Sequence, residues 1–432
     1  MSPTEILLSR IAAVPVTRPV GRVVSVSGAL IGVGGLPRRA ALGDRVEFPR
    51  AGLAGEIVSL TQEGAGVLPE KRPEGLAVGD LVLWEQGSGI APDDSWIGRL
   101  VDASGKPLDG RPLGSGVRAR DYAAAPPDAA LRRPLGTRME TGLSVFNTLL
   151  PLVRGQRIGL FAGSGVGKST LLAALARHVA ADVVVVGLVG ERGREVREFV
   201  DHVLGPAGMA RAVVVAATSD QSPLLRRRAA WTAMAVAEHF RDAGKQVLLL
   251  MDSVTRYAEA HREIALASGE PPSLRGFPPS TSQMITALAE RAGPGPRGAG
   301  DITAIFSVLV AGSDMEEPVA DILRGVLDGH VVMDRSIAER GRFPAIDLLR
   351  SVSRSLPAAA SAEENLLIGE ARRLLGAYDR AEMMIQAGLY VPGSDPLVDR
   401  AIAVWPALDA FLAERAQDGT AASFGRLAAI LA

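Results

Sequence analysis

Cysteine is absent from the 432-residue chain. That excludes disulfides, thiolate zinc sites and a cysteine nucleophile, and it fits a reducing compartment. Aromatic residues make up only 4%, and neither sign of charge prevails: 47 Lys and Arg stand against 48 Asp and Glu, a formal net charge of −1. No global basic field exists to recruit nucleic acid or an anionic membrane. Membrane-length hydrophobic runs are missing too, since stretches such as VVVVGLVG reach about half of a bilayer span. The opening MSPTEILLSRIAAVPV has an apolar flavour, but Arg10 interrupts it and no basic segment leads it, so it reads poorly as a signal peptide. These absences predict a soluble, cytoplasmic protein. What the chain does have is apolar mass, 47% of its residues, enough for sizeable cores in two or three domains.

The pattern changes along the chain. Residues 19–88 contain short β-branched stretches punctuated by glycine, GRVVSVSG, DRVEF, GEIVSL and DLVLW, whose spacing predicts a small β-barrel or sandwich. Residues 111–134 turn rich in Ala, Pro and Arg, as a packed or mobile connector would. From Gln156 onward RIGLFA, DVVVVGLV, AVVVAA, QVLLLMD and ITAIFSVLV are continuous apolar runs alternating with helical segments. Such runs mark parallel strands covered on both faces, and the prediction is an α/β domain over 89–355. Beyond about Leu356 the strand signals stop. SAEENLLIGEARRLLGAYDRAEMMI opens with a capping box at Ser361 and Glu364 and sets Leu366, Leu367, Ile368, Ala371, Leu374, Leu375 and Tyr378 on one helical stripe. A helical C-terminal domain over 356–432 is expected.

Between the strand RIGLF and the helix STLLAALARHV lies AGSGVGKST, residues 162–170. Small residues let successive backbone N–H groups turn inward around phosphate oxygens, and the helix presents its positive end to the same anion. Gly163, Ser164, Gly165, Val166, Gly167, Lys168, Ser169 and Thr170 are therefore the nucleotide-binding candidates. Lys168 would reach the β and γ phosphates, and the Ser169 hydroxyl would ligate Mg²⁺. Ala162 stands where glycine is expected, which is tolerable if its φ stays negative. Asp252, closing the buried strand QVLLLMD, would hold the metal from the far side at the carboxyl edge of the sheet.

Hydrolysis also needs an oriented water and positive charge for the γ oxygens. GERGREVREF, residues 190–199, follows an apolar strand directly. Glu191 leaves that strand beside the expected phosphates and is the candidate water-orienting carboxylate, whereas Glu195, Arg197 and Glu198 read as a solvated helix face. The residues by themselves reach a Mg-dependent NTPase.

The phosphate loop, GERGREVREF, the long segment LLRRRAAWTAMAVAEHFRDAGKQVLLLMDSVTRYAEAHREIALASGEPP, DGHVVMDR, RFPAIDLLRSVSRS and GRLVDASGKPLDG together resemble the catalytic subunits of rotary F-type and V-type ATPases. Within that family GERGREV and AERGRFPAID are most similar to the ATPases of flagellar and type III protein export. The resemblance spans about residues 20 to 400. It implies a RecA-like P-loop NTPase core with an N-terminal β-barrel and a C-terminal helical domain, using ATP and Mg²⁺. It makes Glu191 the carboxylate that polarises the attacking water, with Arg192 beside it and Arg256 a further contact in the phosphate region. Phe343 matches the aromatic that packs on adenine, and Arg354 the arginine finger that reaches a neighbouring subunit's nucleotide. A homo-oligomer, six-membered by resemblance, follows, since one chain carries every part of an active interface. The family further implies a stator-like regulator at the N-terminal 1–18, where Ile6, Leu7, Ile11 and Val14 share a helical face. It also implies export-gate membrane proteins and cargo–chaperone complexes as partners, with no nucleic acid and a place at the inner face of the cytoplasmic membrane. PPSTSQM at 278–284 and Asn147 in LSVFN depart from the family pattern. The alternatives are the β subunit of a rotary ATP synthase, which usually has threonine where Ser169 stands, and a hexameric RNA-translocating helicase, which the few barrel aromatics, Phe48 and Trp84, disfavour.

Overall fold

The computed structural model describes residues 17–85, 89–310, 315–416 and 418–432, apart from the Leu274 side chain. The proposed docking face on Ile6, Leu7, Ile11 and Val14 lies outside the described residues.

Six strands, β1 (Val20–Ser27), β2 (Leu30–Gly34), β3 (Arg45–Phe48), β4 (Leu53–Leu60), β5 (Ala65–Pro69) and β6 (Leu81–Glu85), close into an antiparallel barrel in the order β1-β2-β5-β4-β3-β6. Alternation with period two sends Val23, Ile31, Val46, Phe48, Ile57, Val67, Val82 and Trp84 inward to a common core. Four of these strands were legible as β-branched runs. The other two, LIGVG and AGVLP, are short and glycine-bearing, and closure of the barrel makes them strands. Beyond the barrel, β7 (Gly89–Ile90) pairs with β9 (Arg120–Asp121). The connector after it is packed against the core: Tyr122 is buried, and Arg133 donates to the Gly295 carbonyl (3.1 Å) and pairs with Asp301 (2.5 Å).

The central sheet adds β8 (Arg99–Val101), β10 (Arg157–Ala162), β11 (Val183–Glu191), β12 (Ala212–Thr218), β13 (Val247–Asp252), β14 (Gly293–Pro294), β15 (Asp301–Leu309), β16 (Gly329–Met333) and β17 (Ile346–Ser353). Its order is β17-β16-β10-β15-β13-β11-β12-β8, parallel except where β17 runs against β16 and β14 against β15. All five apolar runs picked from the sequence are strands of this sheet. The edge strands β8 and β17, the adjoining β16 and the two-residue β14 were missed because they are short or carry polar residues.

Alternation along β11 feeds two cores. Val184, Val186 and Leu188 face the phosphate-loop helix Lys168–His178 and the C-terminal helices, while Val183, Val185 and Val189 face the helices Pro223–Asp242 and Val254–Ala267. The helices Ala362–Gln386, Pro396–Ala413 and Gly419–Leu431 form the C-terminal domain, and the first opens with the expected capping box. Ile368, Ala371, Leu374 and Leu375 are buried as expected, but Leu366 is 75% exposed and lies off the stripe. The barrel is tied to the core through Glu56 of β4, which takes both Arg227 and Arg228 of the helix Pro223–Asp242, and Arg228 also meets Glu70. Asn147, the departure in LSVFN, is fully buried and satisfied. Its Oδ1 accepts from Thr141 N (3.0 Å) and Oγ1 (2.7 Å), and its Nδ2 donates to Glu140 (3.0 Å).

Candidate nucleotide site

The phosphate loop leaves β10 in mid-sheet and enters the helix Lys168–His178. Gly165 and Gly167 adopt φ of +78° and +87°, a region that residues with a Cβ rarely adopt, so the turn favours glycine there. Ala162 is the last residue of β10 and is not among the positive-φ residues, which satisfies the condition on its alanine. Val166 is buried beneath the loop, leaving backbone and the Ser164, Ser169 and Thr170 side chains along a cleft of about 770 Å³.

Three parallel strands deliver the charged groups to the same carboxyl edge. Lys168 at the helix start is clamped between the carboxylates of Asp252, at the end of β13, and Glu191, at the end of β11, whose Oε1 lies 4.0 Å from its Nζ. The Ser307 hydroxyl of β15 donates to Asp252 at 2.6 Å. Burial pushes the Glu191 carboxyl up to about 7; the negative charge of Asp252 and the nearby Glu195 push the same way, against the pull of Lys168. A carboxyl poised near neutrality and directed at a phosphate cleft suits the orientation of a water molecule.

The remaining predicted residues divide. Arg256 lines the cleft and donates to Glu259 at 2.8 Å. Arg192 lies on the rim, but its exposed guanidinium pairs with Glu195 (2.9 Å) rather than with Glu191. Glu195 is therefore not a purely solvated helix charge: in the first turn of the helix Gly193–Glu198 that follows β11, it lines the cleft. Ser219, Thr255, Glu259 and Glu317 also line it. No motif pointed to these four. Ser169 and Asp252 share a cavity of about 300 Å³ with Thr170 and Glu191. Their oxygen donors fit Mg²⁺, which takes one or two protein oxygens together with substrate phosphates.

Known proteins share this sequence pattern and this fold. Residues 142–353 match the family model described as ATP synthase alpha/beta family, nucleotide-binding domain, and residues 360–425 match the T3SS EscN ATPase C-terminal domain. The flagellum-specific ATP synthase of Caulobacter vibrioides is 47% identical, over 98% of this chain and 99% of its own. The chain belongs to the flagellum-specific ATP synthase and type III secretion ATPase family. It is an ATPase of the ATP synthase alpha/beta group. The flagellum-specific ATP synthase of Salmonella typhimurium is 42% identical, over 94% of this chain and 91% of its own. The assembled ATPase EscN from the enteropathogenic E. coli type III secretion system superposes with a TM-score of 0.89 at 37% identity, covering 95% of this chain and all of that one. A second structure shows EscN with its central stalk EscO, at a TM-score of 0.87.

Two residues of this export ATPase stand apart from the cleft floor. Phe343 is half exposed, and its ring lies 3.2 Å from where a Cβ on Gly167 would stand. It is thus a surface aromatic beside the phosphate loop, not a core phenylalanine. Arg354 follows β17 on the edge of the sheet, exposed, and is not part of its own subunit's cleft lining. Among the described residues no helix is long and apolar enough to cross a membrane.

Proposed function

We propose that this chain hydrolyses ATP with Mg²⁺ to power flagellar, type III protein export. The observation that carries the hydrolytic reading is Glu191, desolvated and 4.0 Å from Lys168 across the phosphate cleft. In this reading the backbone N–H groups of 163–168 and the Lys168 ammonium bind the phosphates of ATP. Ser169 and Asp252 hold Mg²⁺, which supplies charge neutralisation on the phosphate oxygens. The Glu191 carboxylate accepts a hydrogen bond from the attacking water and aligns it with the γ-phosphorus, and Arg256 adds positive charge at the same wall. Phe343 stacks on adenine.

The sheet-edge position of Arg354 supports its delivery to a neighbouring copy, and hence a ring of identical subunits, six by family resemblance. Work at an export gate on the inner face of the cytoplasmic membrane, release or unfolding of cargo from chaperones, and a stator-like regulator at residues 1–18 complete the proposal. The rotary synthase alternative is disfavoured by the T3SS-type C-terminal domain. The helicase alternative is disfavoured by Phe48 and Trp84, both inside the barrel and unable to stack on bases.

Glu191→Gln tests the central claim. Turnover falls by roughly 10²- to 10³-fold while ATP still binds, read by phosphate release and by equilibrium binding on one preparation. Unchanged turnover would overturn the assignment.

A further inference from the structure

The helix Pro318–Val326 connects the nucleotide cleft to Arg354. Glu317, just before its first turn, lines the cleft, and the buried Val319, Ala320 and Leu323 seat the helix in the core beside Phe161 and Val310. Nine residues make a rod of about 13 Å. Arg324, in its last turn, is bonded in both directions. Its Nη1 donates to the carbonyl of Met315 (3.4 Å), two residues before Glu317, and its own carbonyl accepts from Nη2 of Arg354 (3.2 Å). The Arg354 backbone is fixed separately, its N–H donating to the Asp328 carbonyl at 3.0 Å. Gly329 lets β16 approach β17 there, since a Cβ would come within 2.5 Å of the Val352 carbonyl. The backbone contacts thus anchor the root of the finger, and the Arg324 carbonyl holds its tip.

We propose that Arg324 is a positioning residue. It links Met315, two residues before the cleft-lining Glu317, to the Arg354 guanidinium that the same subunit presents to its neighbour. Three buried side chains make the helix move as a unit, so a shift of the cleft wall displaces the carbonyl that aims Arg354. Occupancy of one site thereby sets the finger for the next. The proposal rests on the finger role assigned to Arg354 above.

The test uses the full-length assembled protein. Arg324→Ala removes the side-chain bond to Met315 and keeps the carbonyl that holds Arg354. Turnover falls roughly 10-fold, ATP affinity stays close to wild type, and Arg324→Lys, which retains a donor, recovers most of the turnover. Mixed rings discriminate further. An R324A subunit has a sound cleft and a misdirected finger, whereas an E191Q subunit has a sound finger and a disabled cleft. In a random one-to-one mixture about a quarter of the sites pair a sound cleft with a sound finger, so activity rises well above the mean of the two parents. If R324A with E191Q shows no gain while R354A with E191Q does, the relay is overturned and the finger stands. If neither mixture gains, the finger falls and the relay with it.

Discussion

Glu191 sits at the meeting of a strand end, a lysine and a second carboxylate, and each neighbour acts on its proton. Burial and the negative charge of Asp252 raise it from 4.5 to about 7. The folded protein therefore holds this proton more tightly than the unfolded chain does. The stability this contributes is full below about pH 4.5 and is lost as pH rises toward 7. Without nucleotide, Glu191→Gln should raise the unfolding free energy at pH 8 by on the order of 2 kcal/mol and leave it unchanged at pH 4. Urea titrations at the two pH values measure this, and equal effects at both would contradict the desolvated-carboxylate account. The sequence placed Glu191 because an acidic residue ending a long apolar strand is conspicuous. It gave no sign of Ser219, Thr255, Glu259 and Glu317, which come from three separate segments, Thr255 and Glu259 sharing one helix, and meet only when the sheet is assembled.

At the scale of elements, the contact between the barrel and the helix Pro223–Asp242 depends on buried charge. Glu56 accepts from Arg227 and Arg228, which lie in the interface at 8% and 3% exposure. Removing the carboxylate leaves Arg227 without its anionic partner and Arg228 with Glu70 alone. Glu56→Ala should therefore destabilise the protein by about 3 kcal/mol, the cost of breaking one side of a buried pair. Denaturant unfolding followed by tryptophan fluorescence reports it, because Trp84 lies in the barrel core; a loss below about 0.5 kcal/mol, as at a surface site, would refute the account. From sequence the arginines of LLRRRAAW read only as part of a family pattern. The capping box of the helix Ala362–Gln386 was legible because Ser361 and Glu364 act within one turn. Leu366 was misplaced because a stripe predicts which face is apolar, not how wide a strip the neighbouring helices cover.

At the scale of the whole molecule, Arg354 does no work in its own cleft and stands exposed on the sheet edge. Arg354→Ala should leave the unfolding midpoint close to wild type, as surface substitutions do. In the assembled state turnover should fall by roughly 10³-fold with ATP binding retained. Phosphate release and a thermal melt on the same sample decide the matter; unimpaired turnover would mean that the finger, if there is one, lies elsewhere.

Determined by sequence alone were the phosphate loop, the five core strands, the capped C-terminal helix and the family. Each is written in a contiguous stretch whose glycine placement or apolar period acts over a few residues. Only the tertiary structure decided that Glu195 lines the cleft, that Asn147 is buried and satisfied, and that Arg324 lies between Met315 and Arg354. Those contacts depend on strand order and helix packing, which bring together residues far apart in the chain, and no local pattern encodes them.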